Sequence, residues 1–185
     1  MPLKYIPNIL SFFRILLAPL FVIFMFKNLF LYKMLSFIIF FIGSISDFLD
    51  GYIARRFNFK SDFGKYLDPF ADKILIVTAL LTLNLFYPMI VAAWMIFVII
   101  FRDIVVTIFR FILMKKNIIM KTSKYAKAKT LILIILVHII LILHLFNLSS
   151  LIFLSNSIYF LMLFSTIYTL LTGFHYMKIN SNYFQ

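Results

Sequence analysis

Cysteine is absent from this 185-residue chain, and so is glutamate; its six acidic residues are all aspartates. The first absence removes disulfides, thiolate metal sites and cysteine nucleophiles together. The second leaves any carboxylate chemistry to Asp47, Asp50, Asp62, Asp68, Asp72 and Asp103. Glycine is scarce too, and two of the four glycines, Gly51 and Gly64, fall among those acids. The ten-residue alternation of a membrane-spanning β-barrel is missing; apolar stretches are long and continuous instead.

What is present is apolar. The chain is 64% hydrophobic, with 25 Phe, and its mean hydropathy of +1.07 lies outside the range of soluble domains. These values predict an all-α, polytopic membrane bundle forming one domain over residues 1–185. The net charge of +12 would suit nucleic acid, but its distribution argues for a membrane and against a nucleic-acid partner. Lys4, Arg14, the basic residues from Arg55 to Lys73 and from Lys115 to Lys129, and Lys178 fall on one side of the predicted spans. Only Lys27 and Lys33 fall on the other. This is the positive-inside pattern, so the basic side is expected to be cytoplasmic. It also suits anionic headgroups and phosphorylated substrates.

Breaks in the apolar pattern predict six transmembrane helices, each needing about 20 residues to cross a hydrocarbon core of ~30 Å. The expected spans are about Ile9–Phe26, Met34–Ala54, Asp68–Phe86 and Pro88–Met114, then two between Thr130 and Met177 divided at Asn147-Leu-Ser-Ser150. A polar link is expected over 57–67, and a basic loop or surface helix over Lys115–Lys129. No cleavage site follows the first apolar run, so it reads as a retained helix. Both termini then face the cytoplasm.

Four of the six acids share one boundary of this bundle. Asp47 and Asp50 fall near the end of the second span, Asp68 and Asp72 near the start of the third. Spacings of three and four residues put each pair on one helical face. Acids near a membrane are costly and read as functional by default. Four carboxylates in a small volume need compensating cations, and hard divalent ions such as Mg²⁺ suit oxygen ligands. Two metals ~4 Å apart can clamp a phosphate under attack. Arg55 offers a planar fork of donors to a diphosphate, and Gly51 and Ala54 leave room for a ligand. Taken singly, each feature has a plainer reading: an Asp pair as a cap, Gly51 as helix packing, Arg55-Arg56 as a membrane anchor, Asp68-Pro69 as a helix start.

The string Asp47-x2-Asp50-Gly51-x2-Ala54-Arg55-x8-Gly64-x3-Asp68-x3-Asp72 resembles the signature of the CDP-alcohol phosphotransferases at every specified position. The resemblance implies a six-helix integral membrane enzyme, commonly a homodimer, that transfers a phosphatidyl or phosphoalcohol group from a CDP-linked donor and releases CMP. It implies that Asp47, Asp50, Asp68 and Asp72 hold two divalent metals (Mg²⁺ or Mn²⁺) and that Asp72 is also the general base. Gly51, Ala54, Arg55 and Gly64 would shape the cytidine diphosphate pocket. Ile6-Pro7-Asn8-Ile9-Leu10-Ser11-Phe12-Phe13-Arg14, Leu67–Lys73, Arg102-Asp103-Ile104-Val105 with Arg110, and Ala126-Lys127-Ala128-Lys129-Thr130 are similar to segments of the bacterial phosphatidylglycerophosphate synthase branch. The last departs by Ala126 in place of Gly.

Within that branch the donor would be CDP-diacylglycerol and the acceptor glycerol 3-phosphate, at the cytoplasmic membrane with the active site facing the cytoplasm. Arg102, Arg110, Lys127 and Lys129 would bind the acceptor's phosphate. Asp103 and Arg110, seven residues apart, could partly pair; an Arg102–Asp103 ion pair holding helices together is the structural alternative. Rival functions are another acceptor (phosphatidylglycerol, serine or inositol) or a divalent-cation transporter. His138 and His144 do not share a helical face and read as packing groups. The last two spans look generic.

Overall fold

A computed structural model describes the backbone at residues 6–57, 62–115, 124–148 and 152–180; within these, the side chains of 6–8, 47–57, 62–70, 72, 114–115, 124–127 and 152 lie outside the described residues. Among the described residues the chain forms six helices and no strand: α1 (Ile6–Met25), α2 (Phe30–Phe57), α3 (Asp62–Phe86), α4 (Ala93–Lys115), α5 (Lys124–Leu145) and α6 (Ile152–Asn180). Two stretches, Ala128–Leu145 in α5 and Phe153–Asn180 in α6, are long and apolar enough to cross a membrane. The apolar parts of the first three helices, Ile9–Met25, Phe30–Ser46 and Lys73–Phe86, are shorter.

Two boundaries depart from the sequence expectation. α3 starts at Asp62 rather than Asp68, so Pro69 stands inside the helix, and the polar link expected over 57–67 is helical at 57 and from 62 onward. α4 starts at Ala93 rather than Pro88. There the chain closes a turn first: Ile90 and Val91 amides donate to the Tyr87 carbonyl at 3.0 and 2.9 Å. Asn84 Nδ2 donates to the Val91 carbonyl at 2.7 Å, satisfying an acceptor just before the helix.

The chain divides into two compact units. The first comprises residues 1–83 and 137–150, with α2 at its centre. The buried stripe of α2, Lys33, Ser36, Phe40, Gly43 and Ser46, follows the three- and four-residue spacing of a helix face. α1 packs against it antiparallel: Ser36 Oγ meets Met25 Sδ at 3.4 Å, and Phe40 and Phe21 rings lie 6.0 Å apart. The far end of α5 packs on α2 through His138, whose ring lies 4.9–5.8 Å from those of Phe37, Phe40 and Phe41. Buried Lys33 Nζ donates to Asn147 Oδ1 at 2.7 Å. Asn147 takes the left-handed φ of 55° just past α5, a conformation Asn tolerates better than most residues.

The second unit comprises residues 84–136 and 151–185. The outward face of α4, Phe97, Phe101, Ile104, Ile108 and Ile112, is apolar and exposed, while Arg102 faces inward and is buried. This reverses the polarity of a soluble helix. The buried face of α6 carries Ser165, Thr166, Thr169, Thr172 and Gly173. Small residues of this kind let helix backbones approach closely where no hydrophobic drive separates protein from lipid.

Candidate active site

Asp47 and Asp50 belong to α2, and Asp68 and Asp72 to α3. Gly43 of α2 abuts Leu75 of α3 so closely that a methyl group at Gly43 would collide with Leu75 Cδ2. The same methyl would lie 3.5 Å from Leu17 Cδ1 on α1. Asp47 and Asp50 follow Gly43 at steps of four and three residues. Asp68 and Asp72 precede Leu75 with steps of four and three. By sequence spacing alone, each acidic pair falls at helical steps from that contact. The side chains of these four aspartates, and of Gly51, Ala54, Arg55 and Gly64, lie outside the described residues.

α1 adds a residue that charge counting assigned to topology alone. Arg14 is 1% exposed, and its Nη2 donates to Ser11 Oγ at 3.4 Å. The antiparallel pairings Met25–Ser36, Phe21–Phe40 and Leu17–Gly43 step along both helices by three to four residues; one more step brings Arg14 level with position 47. The signal was available in the sequence, because Ser11, Arg14, Ala18, Phe21 and Met25 form one helical stripe and a retained arginine on such a stripe is costly.

The second unit gathers a cluster of charge. Arg102 Nη1 donates to Asp103 Oδ1 at 3.0 Å, and Lys129 Nζ donates to the same oxygen. Arg102 Nη2 donates to Thr172 Oγ1 at 3.4 Å. Arg102 and Lys129 are 8% and 5% exposed, so both cations are held inside. Asp103 therefore pairs across to α5 and with its neighbour rather than with Arg110, because seven residues along a helix span ~10 Å. Arg110 is half-buried; among the described residues it has no ion pair. Lys127 stands on α5 two residues before Lys129, its side chain outside the described residues. The Arg102–Asp103 ion pair weighed as an alternative is present, and Lys129 joins it from α5. α6 is not generic either, since Thr172 and Gly173 both touch Arg102.

The described residues thus form six largely apolar helices, with the buried cations Arg102 and Lys129 beside Asp103 in the second unit. The family model described as CDP-alcohol phosphatidyltransferase matches residues 4–172, and the chain belongs to that family, which makes it a transferase. It is 33% identical over 188 residues to the CDP-diacylglycerol--glycerol-3-phosphate 3-phosphatidyltransferase of Bacillus subtilis, covering 95% of this chain and 94% of that one. It is 30% identical to the protein of the same name from Rickettsia typhi, over 98% of this chain and all of the relative. A shorter match, 46% identical over 79 residues, covers 43% of this chain and 42% of the Blochmanniella floridana protein of that name.

Proposed function

We propose that the protein transfers the phosphatidyl group of CDP-diacylglycerol to glycerol 3-phosphate, giving phosphatidylglycerophosphate and CMP. The near-full-length relatives bear the name of that activity. The observation that carries the reading is the Gly43–Leu75 contact, which supports two acidic pairs meeting across α2 and α3. The buried cations Arg102 and Lys129 favour an acceptor that itself carries phosphate.

The donor set fits hard cations: four carboxylates, with no thiolate and no imidazole in their register. Asp47, Asp50, Asp68 and Asp72 would hold two divalent ions, Mg²⁺ or Mn²⁺, which would neutralise diphosphate charge. Asp72 takes the proton of the acceptor hydroxyl. The freed oxygen attacks the lipid-bearing β-phosphorus, the bond from that phosphorus to the CMP oxygen breaks, and CMP leaves with the electron pair. Arg55 holds the diphosphate, with Gly51, Ala54 and Gly64 shaping the cytidine pocket. Arg102, Arg110, Lys127 and Lys129 hold the acceptor phosphate. Positioning and charge stabilisation are the main needs of such a transfer.

The protein would act as a single six-span domain of the cytoplasmic membrane, working as a homodimer, with both termini and the active site on the cytoplasmic face. The acyl chains of the donor would stay among membrane lipids. CMP release by purified protein in detergent tests the reading, with CDP-diacylglycerol, Mg²⁺ and each candidate acceptor in turn. Release is expected with glycerol 3-phosphate and not with glycerol, serine, inositol or phosphatidylglycerol. Asp72→Asn should lower the rate by about 10²–10⁴-fold, the usual reach of a general base. Release with another acceptor alone would overturn the acceptor assignment. No release with any acceptor from folded protein would overturn the transfer itself.

A further inference from the structure

Arg102 lies across α6 at a place where α6 has no side chain. A methyl group built on Gly173 would sit 2.8 Å from Arg102 Nε and 2.9 Å from its Cγ, inside ordinary contact for both atoms. The arginine stem therefore rests on the bare backbone of α6. One residue earlier, Thr172 donates its hydroxyl proton to the Thr169 carbonyl at 2.9 Å, which turns its oxygen lone pairs to the Arg102 Nη2 at 3.4 Å. Asp103 takes Nη1. Among the described residues these two bonds use two of the guanidinium's five N–H donors, and the buried Nε has no partner. A cation held on three sides with donors to spare is arranged for one more acceptor, and a phosphate oxygen is the match for a planar fork.

We propose that Gly173 and Thr172 are positioning residues for the acceptor phosphate: the missing side chain of Gly173 lets Arg102 lie against α6, and Thr172 sets the rotation of its guanidinium. This rests on the reading that Arg102 binds the acceptor. Because the atoms nearest the added methyl belong to a flexible side chain, Gly173→Ala is absorbed by a shift of Arg102 rather than by parting of the helices. The variant should stay folded and lose acceptor binding.

The test is the KM for glycerol 3-phosphate and, separately, for CDP-diacylglycerol, measured by CMP release with full-length protein in detergent. Thermal melting is followed alongside. Gly173→Ala should raise the acceptor KM by roughly tenfold to a hundredfold, the scale of an ångström-size misplacement, with the donor KM and melting temperature little changed. Arg102→Ala should raise the same KM, and adding Gly173→Ala to it should change nothing further. An additive double variant, or a normal acceptor KM in Gly173→Ala beside a raised one in Arg102→Ala, overturns the positioning role and leaves the acceptor site standing. A normal acceptor KM in Arg102→Ala overturns the acceptor reading and this inference with it. Should Gly173→Ala fail to fold, the isosteric Thr172→Val carries the same test; it should raise the acceptor KM, and an unchanged value overturns the inference.

Discussion

Adding a single methyl group at Gly43 probes whether the α2–α3 contact sets the spacing of the acidic pairs. In Gly43→Ala the new carbon would collide with Leu75 Cδ2, inside the ~3.5–4.0 Å of a comfortable carbon–carbon contact. Leu75 is 3% exposed, so it has little space into which to swing. Overpacking of this size costs about 1–3 kcal/mol, while replacing a mid-helix glycine by alanine returns about 1 kcal/mol. Net stability should fall by only about 0–2 kcal/mol on those two figures, too little to decide the matter.

The function should respond more steeply. Leu75 lies three residues beyond Asp72, ~4.5 Å along the helix axis, so strain relieved by parting α2 from α3 reaches the acids almost undiminished. Metal sites tolerate about 0.2 Å in ligand distance, and disturbing the groups that orient ligands typically costs about 10–100-fold in metal affinity. The Mg²⁺ concentration for half-maximal CMP release should rise by that factor in Gly43→Ala. It should fall back toward the wild-type value in Gly43→Ala/Leu75→Ala, where the clashing Cδ2 is gone. A wild-type Mg²⁺ dependence in folded Gly43→Ala would refute the claim that this contact spaces the acids.

Three further variants address what holds each unit together. Asp103→Asn leaves Arg102 and Lys129 buried without their counter-charge, and breaking a buried pair costs about 3–5 kcal/mol; a markedly lower melting temperature in detergent is expected, and an unchanged one would show that the trio adds nothing to stability. In the first unit, Asn147→Ala strips Lys33 of its acceptor, at about 1–3 kcal/mol, and also forces alanine to a φ of 55°. Asn147→Gly removes the acceptor alone, so it should melt above Asn147→Ala by the equivalent of about 1–2 kcal/mol; equal melting would mean the backbone at that turn is not under constraint.

The helical class and the number of elements were legible because long apolar runs separated by polar breaks need no tertiary information. The starts of α3 and α4 differ from the sequence expectation for separate reasons. Asp68-Pro69 alone reads as an ordinary helix start, and Asn84 to Pro88 as the turn before the fourth span. In α3 the helix instead runs through Pro69 from Asp62. In α4 the turn over Tyr87–Val91 satisfies itself first, with help from Asn84, so the helix waits until Ala93. Local preference named the right residues and the wrong position, since what decides the start is where the neighbouring carbonyls find donors.

The site divides along the same line. The spacing of the acidic residues was legible because it is a property of one helix at a time, while their side chains lie outside the described residues. The Arg102–Asp103 pair was legible as an alternative, whereas the bond from Lys129 is made between helices, where spacing in the chain carries no information. Gly173 was the least legible of all. A glycine in an apolar helix contributes no charge, no hydrogen bond and little hydropathy signal, and its use appears only when an arginine from another helix is found lying against it. The clue available beforehand was the helical spacing of Ser165, Thr169, Thr172 and Gly173, a small and hydroxyl-bearing face where a lipid-facing helix has no reason to keep one. A buried guanidinium needs both acceptors and room, and only a face of that kind supplies the two together.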